Sequence, residues 1–440
     1  MKNLYNLFLE KILLPIGDLI NGSSVSKELK RWRKICTLSE TEINELSERN
    51  LKNTLAFAIK NVPYYANLNM EYHDNPYQWL KKFPIMDKSK IRIFQDKLLS
   101  VPKDNLIPCK SSGSSGIQTT TYQNKKEQSA NRAMQMLWWE WAGYYPGKKI
   151  VQTGINAKRG LLKSIKDIFF RTEYVSAFAH KEDEVIALLK KLQTKHGYHF
   201  GGYASSLNVF AEIAIKKEIK DVKFDAAISW GDKLFEHYKR NIKEAFGCHV
   251  FETYGCSEGF LVAAKKDNDY YYIMSPHVVV EIVDDNDIDV PDGEWGLILL
   301  TRLDNFSMPL IRYKIGDLGS ILPKSEYPEI RDMNFPLLKQ IVGRSTDVVK
   351  TNSGKYMVVH AFTGIFEHIP EIYQFKVIQR NYDSIEIEYI PGVNFHQDIL
   401  EKIETKIQNH LSEKFPVTWK KVSQISPSPS GKPRLIESYL

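Results

Sequence analysis

FDAAISWGDKLFEHYKRNIKEAFGCHVFETYG, residues Phe224 to Gly255, reads as strand, tight loop, amphipathic helix and strand. Strand, helix and strand in succession suit a sheet with crossover helices, so this stretch predicts an α/β core. The alternation extends upstream. EDEVIALLKKLQTKHG (Glu182–Gly197) is a helix with acids in its first turn and a glycine at its end. KKEQSANRAMQMLWWEWAGYYPGKKIVQTG (Lys125–Gly154) reads as a helix that carries Trp138, Trp139 and Trp141, ends near Gly143 and leads into a short apolar strand. These tryptophans, with Phe178, Tyr203 and Phe210, suit core packing better than a pocket lining at such spacings.

Further along the pattern changes. HVVVEIVDD (His277–Asp285), WGLILLTRL (Trp295–Leu303), PLIRYKIGDLGSIL (Pro309–Leu322) and LLKQIVGR (Leu337–Arg344) are β-rich runs split by turn residues, which predict a sheet or small barrel. After Arg344 the order is helix (FTGIFEHI, Phe362–Ile369), two alternating strands (YQFKVIQR, Tyr373–Arg380, and SIEIEYI, Ser384–Ile390), helix (QDILEKIETKIQNHL, Gln397–Leu411) and strand (TWKKVSQI, Thr418–Ile425). That is a compact α+β unit able to fold as its own domain. At the other end the first hundred residues are mostly helical. LSETEINELSERNLKNTLAFAIKNV (Leu38–Val62) has apolar residues at helical spacing after Ser39, with Glu42 as its capping-box partner and Pro63 as its stop. The expected fold class is therefore α/β: a large N-terminal α/β domain, 1–345, with helices over about 1–100 and a β-rich subdomain over about 274–345, and a small C-terminal α+β lid, 346–440.

Bulk properties narrow the function. Among 440 residues, 60 basic and 53 acidic side chains leave a net charge of +7, spread along the chain. That suits an anionic small molecule and argues against nucleic acid, which calls for clustered Lys and Arg. The densest basic run, KELKRWRK (Lys27–Lys34), is read as a solvated helix face, with a membrane-surface contact as the alternative. Cys36, Cys109, Cys248 and Cys256 form no C-x-x-C pair and fit a reducing cytoplasm. Cys248, His249 and Cys256 lack an evident fourth ligand for zinc. MKNLYNLFLEKILLPIGDLI (Met1–Ile20) is interrupted by Glu10, Lys11, Pro15 and Asp18; it reads as an amphipathic helix packed on the body rather than an integral membrane segment, with docking on a membrane surface through Leu4–Ile20 and the Lys27–Lys34 run as the alternative.

CKSSGSSGIQTTTYQ (Cys109–Gln123) crowds hydroxyls and glycines without a carboxylate. Composition alone leaves two readings level: a flexible linker, or a loop whose N–H and hydroxyl groups wrap phosphate oxygens. It is not a Walker loop, because Gly116 is followed by Ile117 and Gln118 rather than Lys and Ser/Thr. Downstream, in order, come YGCSEG (Tyr254–Gly259), RYKIGDLG (Arg312–Gly319), GRSTDVVKTNSGKY (Gly343–Tyr356) and SPSGKPRLI (Ser428–Ile436). Together with NVPYY (Asn61–Tyr65) and FPIMDKSKIR (Phe83–Arg92), these segments resemble the adenylate-forming superfamily of acyl-CoA synthetases and adenylation domains. The branch they resemble holds the phenylacetate–CoA ligases and the CapK-like proteins of polysaccharide gene clusters.

The resemblance implies an ATP-dependent enzyme that converts a carboxylic acid to an acyl-adenylate and passes the acyl group to coenzyme A. An amine acceptor such as an amino sugar, or a non-catalytic AMP/ATP-binding relative, are the alternatives. In the family the hydroxyl-rich loop holds the pyrophosphate of ATP; here that is Ser111, Ser112, Gly113, Ser114, Ser115 and Gly116. Gly231 and Asp232 fall where backbone lines the adenine. Tyr254, beside Gly255 and Ser257, would stack on the base, Glu258 would hold Mg²⁺, and Asp317 would accept both ribose hydroxyls. Arg344 would sit at the hinge, and Lys432 would reach the reacting phosphate. Two departures stand out: Ile117 and Gln118 bring no lysine after the loop's last glycine, and Thr346 occupies a hinge position that is often aspartate, with Asp347 next.

Overall fold

The computed structural model describes residues 3–110, 119–154, 166–176, 182–344, 348–353, 355–366, 369–425 and 435–440, with only the backbone of 344, 356, 358–360 and 363–364. Strands β1 (Ile107–Lys110) and β2 (Thr120–Gln123) pair antiparallel, with Lys110 opposite Thr120. The two flanks of the Ser/Gly segment are thus held in register with each other.

The quoted βαβ stretch folds as its pattern predicts. It gives β6 (Ala227–Trp230), helix Glu236–Phe246 and β7 (Val250–Cys256), and before it come β5 (Tyr198–Tyr203) and helix Ala204–Lys216, a pair not anticipated from the sequence. With β3 (Lys149–Gly154) and β4 (Thr172–Ser176), these strands form a parallel ladder in the order β4-β3-β5-β6-β7. Both faces are covered, so Val151, Phe200, Ala227, Leu189, Phe210 and Ile242 bury together. Gly247, at φ +67°, stops the second crossover helix in the left-handed conformation that glycine adopts without strain.

The β-rich run does not close on itself. β8 (Phe260–Ala264), β9 (Tyr271–Ile273), β10 (Val278–Val283), β11 (Gly296–Arg302), β12 (Tyr313–Ile321) and β13 (Leu337–Arg344) join antiparallel onto β7, in the order β7-β8-β9-β13-β12-β11-β10. The described residues therefore make one eleven-stranded ladder in which β7 is the seam. It pairs parallel with β6 through Val250–Glu252 and antiparallel with β8 from Thr253 onward. Within the antiparallel half, β13 meets β9 through the short contact of Leu337 and Leu338 with Tyr272 and Tyr271.

The N-terminal helices pack over the antiparallel half. Ser39 and Glu42 make the expected reciprocal cap of helix Glu40–Asn61, whose Leu51, Leu55 and Ala58 share a core with Phe260, Val262 and Tyr313. Trp138 and Phe210 are core residues, Trp139 stacks on Trp230, and Trp141 packs edge-on to Phe251 and Tyr272. Phe178 lies outside the described residues.

In the C-terminal unit β14 (Val348–Lys350) and β15 (Tyr356–Val358) form a hairpin. β16 (Ile372–Gln379), β17 (Ile385–Pro391), β18 (Val417–Lys421) and β19 (Ile436–Ser438) form a sheet of order β18-β17-β16-β19. Its core holds Val377, Ile387, Ile436 and, from helix Asp398–Leu411, Ile403 and Ile407. No helix among the described residues is long and apolar enough to cross a membrane.

Candidate active site

In open sheets ligands gather beyond the carboxyl ends of parallel strands, where the topology reverses. Here that place is the end of β7. A bulge falls between Tyr254 and Gly255, and a Cβ on Gly255 would lie 2.4 Å from the Phe260 carbonyl oxygen. The close approach lets the chain double back through Ser257, Glu258 and Gly259. Gly259 has φ +96°, and a Cβ there would press within 2.8 Å of Arg302 Nη1.

Three predicted residues meet around this turn. The buried Tyr254 hydroxyl donates to Asp317 Oδ2 at 2.9 Å, joining β7 to β12. Glu258 is also buried; its Oε1 accepts from the Tyr313 hydroxyl at 2.8 Å, and Ser257 Oγ stands 3.4 Å from Oε2. Thr121 Oγ1 donates to the Glu258 carbonyl at 3.2 Å, which fixes β2, and so the base of the Ser/Gly segment, against the same turn. Asp317, in the middle of β12, faces Arg344 across the β12–β13 register, so β13 ends beside it at the start of the predicted hinge. FPIMDKSKIR meets RYKIGDLG directly: the Met86 amide donates to the Arg312 carbonyl at 3.0 Å, and the Arg312 guanidinium binds the carbonyls of Lys81 and Phe83.

Gly231 and Asp232 lie at the end of β6. Gly231 has φ +81°, and a Cβ there would come within 2.5 Å of the Tyr203 ring. The Asp232 carboxylate accepts from the amides of Ala204 (2.6 Å) and Ser205 (3.2 Å) and from the Ser205 hydroxyl. It caps helix Ala204–Lys216, whose own preceding residue, Tyr203, makes no side-chain cap. Ser111, Ser112, Gly113, Ser114, Ser115, Gly116 and Lys432, with Thr346 and Asp347, lie outside the described residues, as does the Arg344 side chain.

Burial pushes the Cys248 thiol up to about 12, and burial followed by the neighbouring Glu258 charge holds Cys256 well above the ordinary thiol range. Among the described residues no group of three or more His, Cys, Asp or Glu gathers as a cation site. The donor set instead fits a nucleotide with a hard cation. Asp317 offers carboxylate oxygens to a diol, and Glu258 offers one to Mg²⁺, which takes one or two carboxylates and completes its shell with phosphate and water.

A supporting network was not anticipated from the sequence. Arg302, at the end of β11, is 1% exposed and donates to Asp304 Oδ1 (2.7 Å), the Gly259 carbonyl (2.8 Å), the Glu127 carbonyl (3.0 Å) and Gln123 Oε1 (3.3 Å). The buried His277 Nδ1 lies 2.7 Å from Asp304 Oδ2. Burial opposes the Asp304 charge, but His277 and Arg302 hold its carboxyl well below the usual range. The guanidinium thus braces the backbone of the Glu258 turn. The available signal was TRLD, a charged pair that closes the unbroken apolar run GLILL of β11.

Residues 348–439 match the family model described as the CapK C-terminal domain. Protein CapK of Staphylococcus aureus is 22% identical over 423 residues, 93% of this chain and 91% of its own. Phenylacetate-coenzyme A ligase of Escherichia coli K12 is 25% identical over 375 residues, 80% of this chain and 83% of its own. The solved structure of 2-hydroxyisobutyryl-CoA ligase in its postadenylation state shares the fold, with a TM-score of 0.72 at 17% identity over 92% of this chain and 91% of that one.

Proposed function

We propose that this chain, a member of the phenylacetate–CoA ligase-like, CapK-like branch of the adenylate-forming superfamily, is an AMP-forming acid–thiol ligase. The observation that carries the reading is the Tyr254–Asp317 hydrogen bond beside the Glu258 turn. It brings together the two strands, β7 and β12, that would grip a nucleoside, beside the carboxylate that would face its phosphates.

The substrate carboxylate attacks the α-phosphorus of ATP; the bond to the bridging oxygen breaks, and pyrophosphate leaves with its electron pair. Asp317 holds the ribose and Tyr254 the base, so that attack is in line. Mg²⁺, when bound, supplies positive charge against the phosphoryl oxygens, and Glu258 holds it. Ser111–Gly116 cradle the departing pyrophosphate, and Lys432 adds an ammonium at the reacting phosphoryl group. Rotation about Arg344–Asp347 then withdraws Lys432 and admits coenzyme A. Its thiol attacks the acyl carbon, AMP leaves, and the thiol proton passes to solvent. Transfer to an amine is the second reading, with a setting in polysaccharide biosynthesis; both come from the resemblance of the sequence motifs to the CapK-like branch.

ATP–pyrophosphate exchange with a panel of aryl, short-chain, amino and sugar acids tests the first half-reaction. Exchange should appear only with an accepted acid, and adding coenzyme A or an amine should then consume the adenylate. ATP binding without exchange for any acid would replace the ligase with a non-catalytic nucleotide binder.

A further inference from the structure

The first helix of the chain is turned inside out. Turns Leu4–Phe8, Leu9–Leu13 and Leu14–Asn21 follow one another without a break. Asn6 and Asp18 are buried along with Leu9, while Leu4, Phe8, Ile12, Ile16, Leu19 and Ile20 are exposed, the least of them by 44%. The polar face is tied down. Asn6 donates to the Pro146 carbonyl at 2.8 Å, Glu10 pairs with Arg33 at 2.6 Å, and Asp18 accepts from the amides of Val25 and Ser26 and the hydroxyls of Ser23 and Ser26. Rolling the helix to hide its apolar face would break all of these bonds.

The exposed residues also fall in line. Steps of four residues drift by about 40° each around a regular helix. Leu9–Leu13 forms a π turn, closed by the Leu14 amide on the Leu9 carbonyl, whose wider turn offsets much of that drift. Leu4, Phe8, Ile12, Ile16 and Ile20 therefore make one ridge. Exposed Ile168 and Phe169 adjoin it, because the Tyr5 hydroxyl donates to the Phe169 carbonyl at 2.7 Å.

Cations flank the ridge. Lys11 is exposed on the same helix, and the Arg171 guanidinium lies 4.4 Å over the Tyr5 ring. Exposed Lys27, Lys30 and Lys34 lie on the neighbouring helix Val25–Ile35, which the Asp18 and Glu10 bonds clamp alongside. The acids Glu10, Asp18 and Glu28 are engaged by Arg33, by the helix cap and by Arg31. A two-fold copy of the chain would set these cations against each other, whereas phosphate headgroups over an acyl boundary complement both features at once. We infer that this ridge seats the protein on an anionic lipid bilayer, with the apolar side chains in the interface and the lysines on the headgroups.

The test is co-sedimentation of the full chain with phosphatidylcholine vesicles, with and without phosphatidylglycerol. Binding is expected only with phosphatidylglycerol and should persist at physiological salt. Phe8→Glu/Ile16→Glu should lower partition by roughly tenfold or more. Lys30→Glu/Lys34→Glu should lower it chiefly at low salt. Both double variants should keep the wild-type melting temperature and exchange activity; Ile12→Ser/Ile16→Ser replaces the first if it does not fold. Absent binding at physiological salt, equal binding to neutral vesicles, or wild-type binding by the ridge variants would overturn the inference. So would a dimer in light scattering that Phe8→Glu/Ile16→Glu makes monomeric, since a second copy would then own the ridge.

Discussion

At the scale of single residues, three carboxylates, two just past the ends of β6 and β7 and one in the middle of β12, do different work. Asp317 shares a hydrogen bond with Tyr254 and offers oxygens to a ligand, whereas Glu258 is buried against Tyr313 where phosphates would lie. Asp317→Ala should therefore weaken nucleotide affinity by roughly 1.5–3 kcal/mol in titration calorimetry, the worth of charge-assisted hydrogen bonds. Glu258→Gln should cut exchange turnover while binding changes little, because charge on the metal-facing side matters most in the transition state. Equal, small effects from both would mean that the assignment is misplaced. Asp232 is the contrast. Its carboxylate is spent on the amides of Ala204 and Ser205, so Asp232→Ala should cost about 0.5–2 kcal/mol of unfolding free energy. Its own backbone, next to Gly231, would still line the base, so nucleotide affinity should hold near wild type.

At the scale of elements, the end of β11 carries the buried Arg302–Asp304–His277 group that braces the Glu258 turn. A carboxyl held below its ordinary value of 3.8 stabilises the fold above that pH and loses its contribution as pH falls through the folded value. Asp304→Asn leaves Arg302 buried without a counter-charge and should lose roughly 3 kcal/mol or more at neutral pH. In denaturant titrations the gap between wild type and variant should hold down to about pH 4 and close on further acidification. A gap independent of pH would assign the loss to packing instead of charge. This group also shows what the sequence hides. Local patterns were readable: the Ser39–Glu42 cap, the strand–helix–strand order of Phe224–Gly255, and the helices and middle strands between Phe362 and Lys421, but not the short strands β14, β15 and β19. Partners brought together by distant pairing were not. The β-rich run looked separable because its joints to β7–β9 are short or far apart in sequence, such as the pairing of Leu337 and Leu338 with Tyr272 and Tyr271, which no local pattern announces. Tyr254, Glu258 and Asp317 could be named through family resemblance, while Tyr313 and Arg302, which hold two of their neighbours in place, carried no such mark. The ridge from Leu4 to Ile20 depends on a π turn that composition does not reveal.

At the scale of the whole molecule, the question is how a residue near the C-terminus could serve a site at the end of β7. SPSPSGKPRLIESYL (Ser426–Leu440) reads like a loose tail, but its last part is a strand. Ile436–Ser438 pairs parallel with Val377–Gln379 on one edge of the small sheet, while Val417–Lys421 pairs with Ile385–Tyr389 on the other. The described residues on either side of Lys432 are therefore held at opposite edges of the small sheet, about 14 Å apart at ordinary strand spacing. In the proposed cycle Lys432 enters and leaves the site as that unit turns. Lysine suits the task as a point charge on a flexible stem. Lys432→Ala should then slow acid-dependent ATP–pyrophosphate exchange by several orders of magnitude, since a preorganised charge at the transition state is worth roughly 3–4 kcal/mol. Folding should be unchanged, because β18 and β19 keep their pairings without it. Transfer from a pre-formed acyl-adenylate should proceed at close to the wild-type rate, because in the proposed cycle that step runs with Lys432 withdrawn. Single-turnover kinetics of the two half-reactions separate these outcomes. Normal adenylation by the variant would place the essential cation elsewhere, and equal loss in both half-reactions would mean that the C-terminal unit serves the two steps from a single position.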